Sequence, residues 1–379
     1  MKKSIFLLLH LLAFSLIFSC AATAANPSPP KLKAKAYILL DFNSQEVIAE
    51  LKSDDKVEPA SLTKMMTSYV VEQELIQGNI QLSDMVRISE KAWRMKGSRM
   101  FLEVGTRVSV DELMKGIIIQ SGNDASVALA EHIAGSEEAF VSLMNEYARI
   151  LGMNSTNFVN ATGLPHKKHY TTPRDLATLV SAIIRDFPEH YAWYSEKEYT
   201  YNGIRQFNRN KLLWQDESVD GVKTGHTESA GFCLAASAKK GDMRLISVVL
   251  GTNSETARTT ESQKLLTFGF RFYETHKLYK ANQPLTTAKI WKGETELIPL
   301  GLEEDLYITI PRGSYSSLKA TMSIDKKITA PGIKGKVYGS VNIGLKKEPF
   351  IARDLIALKN VNKGSLMGSL FDEVQMRFE

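Results

Sequence analysis

A hydroxyl and an amine sit three residues apart in Ser61-Leu62-Thr63-Lys64, the spacing at which two side chains share one face of a helix. Lys64 is thereby placed to take the Ser61 proton, which would make Ser61 a nucleophile for acyl transfer. Pro59 suits a first helical turn, and Leu62, Met65, Met66, Tyr69 and Val70 keep helical spacing until Gly78 offers a stop. Ser61 then falls near a helix N-terminus, where unpaired N–H groups and the helix dipole favour a developing oxyanion. Alone, a Ser-x-x-Lys also fits an ordinary solvated helix face, so its partners decide.

The second cluster is Ser121-Gly122-Asn123. It follows a helix that Ser109 should cap, with Glu112 completing a capping box and Leu113, Ile117, Ile118 and Ile119 on the buried side. Gly122 breaks that pattern, and a second helix is predicted from Asp124 to Gly135, leaving Ser121 and Asn123 on a short rigid connection. From there Ser121 can bridge hydroxyl to amine in a proton relay, and Asn123 can offer both ends of its amide to a substrate backbone. In isolation an Asn-capped helix break explains the motif as well.

The third cluster is Lys223-Thr224-Gly225, in a strand predicted over Val219 to Thr227 and followed by strands from Phe232 to Ala238 and Arg244 to Gly251 around a Lys239-Lys240-Gly241-Asp242 turn. Gly225 would let an extended peptide lie against that strand edge. Lys223 would attract a substrate carboxylate and, by like-charge repulsion, lower the pKa of Lys64.

The three clusters, in this order, resemble those of the low-molecular-mass penicillin-binding proteins, the serine-type D-alanyl-D-alanine carboxypeptidases of peptidase family S11. The resemblance extends to Gly203-Ile204-Arg205-Gln206, Asn208-Arg209-Asn210, Leu212-Leu213-Trp214, Asp220 to Thr227, Asn160-Ala161-Thr162-Gly163-Leu164 and Arg174-Asp175-Leu176-Ala177. It implies an α+β fold: a β-lactamase/transpeptidase-like catalytic domain, then a small all-β sandwich domain and a C-terminal amphipathic helix. It also implies that Ser61 is acylated, that Lys64 is its base, and that Ser121, Asn123 and Lys223 relay protons and position substrate. Thr224 and Arg258, with Arg209 as a further helper, would bind the terminal carboxylate beside Gly225, and the backbone N–H groups of Ser61 and His226 would form the oxyanion hole. The reaction so implied needs no cofactor or metal: it removes the terminal D-Ala from peptidoglycan pentapeptide stems, and β-lactam antibiotics would acylate the same serine. Two alternatives share the motifs, a β-lactamase and a non-catalytic penicillin-binding protein of cell shape or sensing. Against the first, no Glu-x-x-Leu-Asn element to activate a deacylating water lies between the second and third motifs; against the second, every nucleophile and relay position is filled.

The rest of the chain must hold and deliver that site. With 379 residues, 44% hydrophobic and 23% charged, it exceeds one typical core and is globular in composition. A formal net charge of +5, two of it from Lys2 and Lys3, is too small to suggest nucleic acid. Lys2, Lys3, an apolar run from Ile5 to Phe18 and Ala22-Thr23-Ala24 read as a signal peptide over 1–24, so export is expected. Cleavage there would remove Cys20 and leave Cys233 alone, a packing residue in its strand; lipidation of Cys20 is the competing reading. The catalytic domain is expected over 31–275, a linker near 276–287, a β domain over 286–363 and the amphipathic helix over 364–379. In that tail Leu366, Met367, Leu370, Phe371, Val374 and Phe378 share a face, and the resemblance implies attachment to the periplasmic face of the inner membrane. Packing on a domain or a partner would use the same face, and the tail's few cations, Lys363 and Arg377, speak against strong attraction to anionic lipid. His166 and His169 are read as a solvated loop rather than a metal pair, because lysines flank them. Tyr191, Trp193, Tyr194, Tyr199 and Tyr201 are read as packing residues.

Overall fold

The computed structural model describes residues 28–345 and 348–376; the expected leader, Cys20, Arg377 and Phe378 lie outside the described residues. Five strands build the central sheet: β1 (Ala36–Asp41), β2 (Val47–Leu51), β3 (Val219–Thr227), β4 (Gly231–Lys240) and β5 (Met243–Thr252). Their order is β2-β1-β5-β4-β3, with every neighbour antiparallel. All six residues of β1 are buried, which requires cover on both faces. Side chains alternate between the two cores: Ile38 and Leu40 enter the larger one, Tyr37 and Leu39 the smaller. Cys233 enters the larger core from β4 and is fully buried, as its packing role predicts.

The longest helices on the larger core are α1 (Thr63–Ile76), α2 (Asn123–Ala134), α3 (Glu137–Ile150) and α4 (Pro173–Asp186). A fifth, α5 (Glu255–Phe272), closes the other face with Leu265, Leu266 and Phe268. Local chemistry sets their starts. The side chains of Ser136, Thr172 and Ser254 accept hydrogen bonds from the third residue of α3, α4 and α5. The capping box of Ser109 and Glu112 forms as its sequence predicts. Beyond it the backbone does not stay α-helical: Gly116–Gln120 is a single π turn, closed by Ser121 N–H donating to Gly116 O, with Gly122 N–H donating to the same oxygen at 3.0 Å. That wide turn leads into Ser121 in the left-handed region, with φ +67.

The expected linker is largely strand. Residues 276–279 belong to β6 (Tyr273–Tyr279), which follows α5 directly, and Pro284 opens β7 (Pro284–Trp291). Strand β6 pairs with β9 (Leu306–Pro311), reached through β8 (Leu297–Gly301), so its partner is about thirty residues away in sequence and no local pattern announces it. The further strands of this second body are β10 (Leu318–Ile324), β11 (Ile328–Thr329), β12 (Val337–Leu345) and β13 (Glu348–Ala357), which join β7 and β8 in a six-stranded sheet of order β10-β12-β13-β8-β7-β11. Ile290, Ile298, Leu300, Val341, Ile343 and Leu355 form its core.

A buried carboxylate joins the two bodies. Asp41, at the end of β1, accepts hydrogen bonds from Asn43 N, Ser44 N and Ser44 Oγ, and at 2.8 Å from Thr275 Oγ1 on β6. The last helix, α6 (Leu366–Gln375), is capped by Ser365 and tied by Asp372 and Glu373 to Lys292, the residue after β7. Its apolar residues are solvent-facing, Leu366 at 87% and Leu370 at 68% exposure. No described helix is long and apolar enough to cross a membrane.

Candidate active site

Ser61 sits in a 3₁₀ turn, Ala60–Leu62, immediately ahead of α1. Lys64, the second residue of that helix and three residues on from Ser61, is wholly buried. Its Nζ donates to Asn123 Oδ1 at 2.6 Å and to Thr162 O at 2.6 Å, and stands 3.3 Å from Ser61 Oγ. The predicted pair is therefore assembled. A neutral amine has two protons and one lone pair; the two short contacts take the protons, which leaves the lone pair for the Ser61 hydroxyl. Burial is the leading reason that the Lys64 pKa falls to about 7, the charge of Arg209 adds to it, and Asp124 opposes it. Lys223 is not among the causes, contrary to the expectation that like-charge repulsion from it would lower the Lys64 pKa. Repulsion is expressed on Lys223 instead, which burial, then Lys64, Arg209 and Arg258 hold well below the usual lysine range.

Two glycines let three chain segments converge on the nucleophile. A Cβ on Gly225 would lie 3.1 Å from Pro59 O and 3.2 Å from Ser61 N, so this glycine admits the nucleophile's own turn to the strand rather than a substrate alone. Gly163 has φ +84, and a Cβ there would lie 1.8 Å from Ala60 O. Because Gly163 follows Thr162, its fit also fixes the carbonyl that receives the Lys64 proton.

On the opposite wall, Ser121 Oγ is buried with no hydrogen-bond partner among the described residues, as a group awaiting a relay would be. Asn123 is the first residue of α2, not part of the loop. Both ends of its amide are engaged within the protein, Oδ1 by Lys64 and Nδ2 by Lys96 O at 2.6 Å. Its first duty in the free protein is therefore to orient Lys64. The carboxylate Asp124, unremarked in the sequence beyond its place in the helix, accepts from the N–H groups of Met100, Phe101 and Leu102.

Ser121 and Asn123 line one cleft of about 390 Å³ with Ser61, Thr224, Gly225, His226, Arg209 and Arg258. Arg258, from the first turn of α5, is 4% exposed and donates to Gly225 O at 3.3 Å. Arg209 stands on the open side, and His226 stacks on Phe232 with ring centroids 3.9 Å apart. Lys223 is 3% exposed on β3. Eight of the ten predicted site residues thus line this cleft, while Lys64 lies buried behind Ser61 and Lys223 is buried on β3 next to Thr224. Missed were Thr162, Gly163, Asp124, Phe232 and Glu255; the first two stand in a quoted segment that carried no assigned role, because a backbone carbonyl leaves no residue-type signal.

His169 corrects the sequence reading. It is 2% exposed, not solvated. Val159 N–H donates to its Nδ1 at 3.2 Å, so Nε2 carries the proton and donates to Thr63 Oγ1 at 2.8 Å. Burial chiefly, then the charges of His166 and Lys64, hold its pKa at about 4. Tyr191 and Tyr194 are buried as packing residues, stacked on each other at 5.5 Å.

Residues 23–254 match the D-alanyl-D-alanine carboxypeptidase family, Peptidase S11, and residues 273–363 match the family described as penicillin-binding protein 5, C-terminal domain. Over 376 residues the chain is 46% identical to D-alanyl-D-alanine carboxypeptidase DacC of Escherichia coli (strain K12), covering 97% of this chain and 94% of that protein. Penicillin binding protein 5 from Haemophilus influenzae superposes with a TM-score of 0.86 at 44% identity, over 89% of this chain and 100% of the other. Penicillin-binding protein D2 from Listeria monocytogenes, solved in its ampicillin-bound form, gives a TM-score of 0.60 at 29% identity over 64% of this chain and 100% of its own. The chain belongs to the D-alanyl-D-alanine carboxypeptidase family.

Proposed function

We propose that this protein is a serine D-Ala-D-Ala carboxypeptidase that removes the terminal D-Ala from peptidoglycan pentapeptide stems through an acyl-enzyme on Ser61. The reading rests on one observation above the others: a buried amine with both neutral-state protons engaged stands 3.3 Å from the Ser61 hydroxyl. Ser61 Oγ attacks the penultimate D-Ala carbonyl as its proton passes to Lys64. Ser121 relays a proton to the departing amine, the C–N bond breaks, and water then hydrolyses the ester. Thr224, Arg258 and Arg209 receive the terminal carboxylate, while Lys223 adds positive potential and Asn123 positions Lys64. The N–H groups of Ser61 and His226 stabilise the oxyanion.

β-Lactam antibiotics acylate the same oxygen, a reading supported by the ampicillin-bound relative. The leader motif over 1–24 supports export, and the apolar face of α6 supports peripheral attachment to the periplasmic face of the inner membrane. The test is D-Ala release from an N-acylated peptide ending in D-Ala-D-Ala, alongside covalent labelling by penicillin. Wild type should do both, and Ser61→Ala neither. A Ser61→Ala variant that still carries the label on the intact protein mass would remove Ser61 as nucleophile.

A further inference from the structure

The wall of the cleft opposite β3 hangs from one carboxylate. Met100 N, Phe101 N and Leu102 N donate to Asp124 at 2.9, 2.9 and 3.2 Å, and Asp124 is 1% exposed. Three successive amides turn inward on one anion because Phe101 adopts φ +68, a conformation that is costly for a bulky residue and that creates an anion nest. The same loop is stitched to the residues just before Asp124. Asn123 N donates to Ser98 O, Asn123 Nδ2 to Lys96 O, and Gln120 Nε2 to Arg99 O. Gly97 and Ser98 line the cleft.

We propose that Asp124 is a positioning residue for acylation: its carboxylate holds loop 96–102 against α2, and so fixes Asn123, and through it Lys64, in the register that reaches Ser61. This rests on the reading of Ser61 and Lys64 given above. Asp124 also lies near enough to act on Lys64 by charge. The charged and titratable groups facing Lys64 are Arg209 from the open side, Lys223 from β3, His169 from the loop before α4, and Asp124. Asp124 is the negative one, and it raises the Lys64 pKa. Removing its charge therefore lets that pKa fall, and the neutral base persists to lower pH.

The experiment measures the second-order rate of labelling by a fluorescent penicillin across pH for wild type, Asp124→Asn, Phe101→Gly and the double variant, each with its melting temperature. In Asp124→Asn the plateau rate should fall at least about tenfold, while the acid limb moves to lower pH by a few tenths to about one unit. A scaffold role alone lowers the plateau without moving the limb. Phe101→Gly relieves the left-handed strain, so in that background the plateau loss should shrink while the limb shift stays. An unchanged plateau, or a loss with the limb unmoved, would overturn the proposal. Failure of Asp124→Asn to fold both alone and with Phe101→Gly would also overturn it, reducing Asp124 to a folding residue. Failure of wild type to label at all would instead sink the acylation reading on which it rests.

Discussion

Whether Lys64 can act as a base depends on where its proton goes at neutral pH. In water a lysine amine is almost wholly protonated at pH 7 and has no lone pair to offer. Burial behind the Ser61 turn removes that preference, and a pKa of about 7 leaves comparable amounts of both forms. The protonated form directs its third hydrogen at Ser61 Oγ and cannot accept, so only the neutral form is competent. Penicillin acylation should therefore rise as pH increases through about 7, tenfold per unit on the acid side; a rate independent of pH between 5.5 and 8 would show that Lys64 is not the base. The sign for stability follows from the same group. Between pH 7 and the lysine's unfolded value the unfolded chain binds the extra proton, so this residue's contribution to stability grows as pH rises across that window and is lost as pH falls through it.

At the scale of elements, the site is a convergence of the Ala60–Leu62 turn, β3 and the 160–164 loop. Their separation is set by atoms that are missing rather than by any bond. Gly163→Ala is the sharpest probe, since its Cβ would coincide with Ala60 O at 1.8 Å and its φ of +84 disfavours any side chain. The turn carrying Ser61 must then move. We expect a stability loss of about 3 kcal/mol or more, read from denaturant unfolding, together with loss of penicillin labelling. Full labelling with wild-type stability would mean that the 160–164 loop does not set the nucleophile's position. The π turn before Ser121 is a second such device, because it allows a residue with φ +67 to follow a buried helix and aims Ser121 Oγ inward.

At the scale of the molecule, the catalytic body and the β domain are joined through the Asp41, Thr275 and Thr309 contacts, and α6 lies at the far end of the chain with its apolar face in solvent. Leu366, Met367, Leu370, Phe371 and Val374 are all more than half exposed, and burying such a face in a lipid interface stabilises attachment by roughly 25 cal/mol per Å² of apolar surface. Removing 364–379 should move the protein from the membrane to the soluble fraction of cells and leave D-Ala release by the purified enzyme within about twofold of wild type. Equal fractionation of both forms would assign that face to a protein contact instead. Asp372 and Glu373 of α6 make polar contacts with Lys292, just past β7, and the apolar stripe stays exposed.

What the sequence determined by itself was whatever depends on neighbours along the chain. The Ser61 and Lys64 pairing, the Ser109 capping box, the three strands from Val219 to Thr252 and the amphipathic tail all follow from spacings of a few residues, and each is found where it was expected. Tertiary structure alone decided the protonation of Lys64, the engagement of both ends of the Asn123 amide, the burial of His169 and the strand at 273–279. Each of these depends on a partner many residues away: Thr162 O for the amine, Lys96 O for the amide, Thr63 for the histidine, β9 for the strand. Desolvation and long-range hydrogen bonding have no period that a linear sequence can display, and in this protein they decide which form of Lys64 faces the nucleophile.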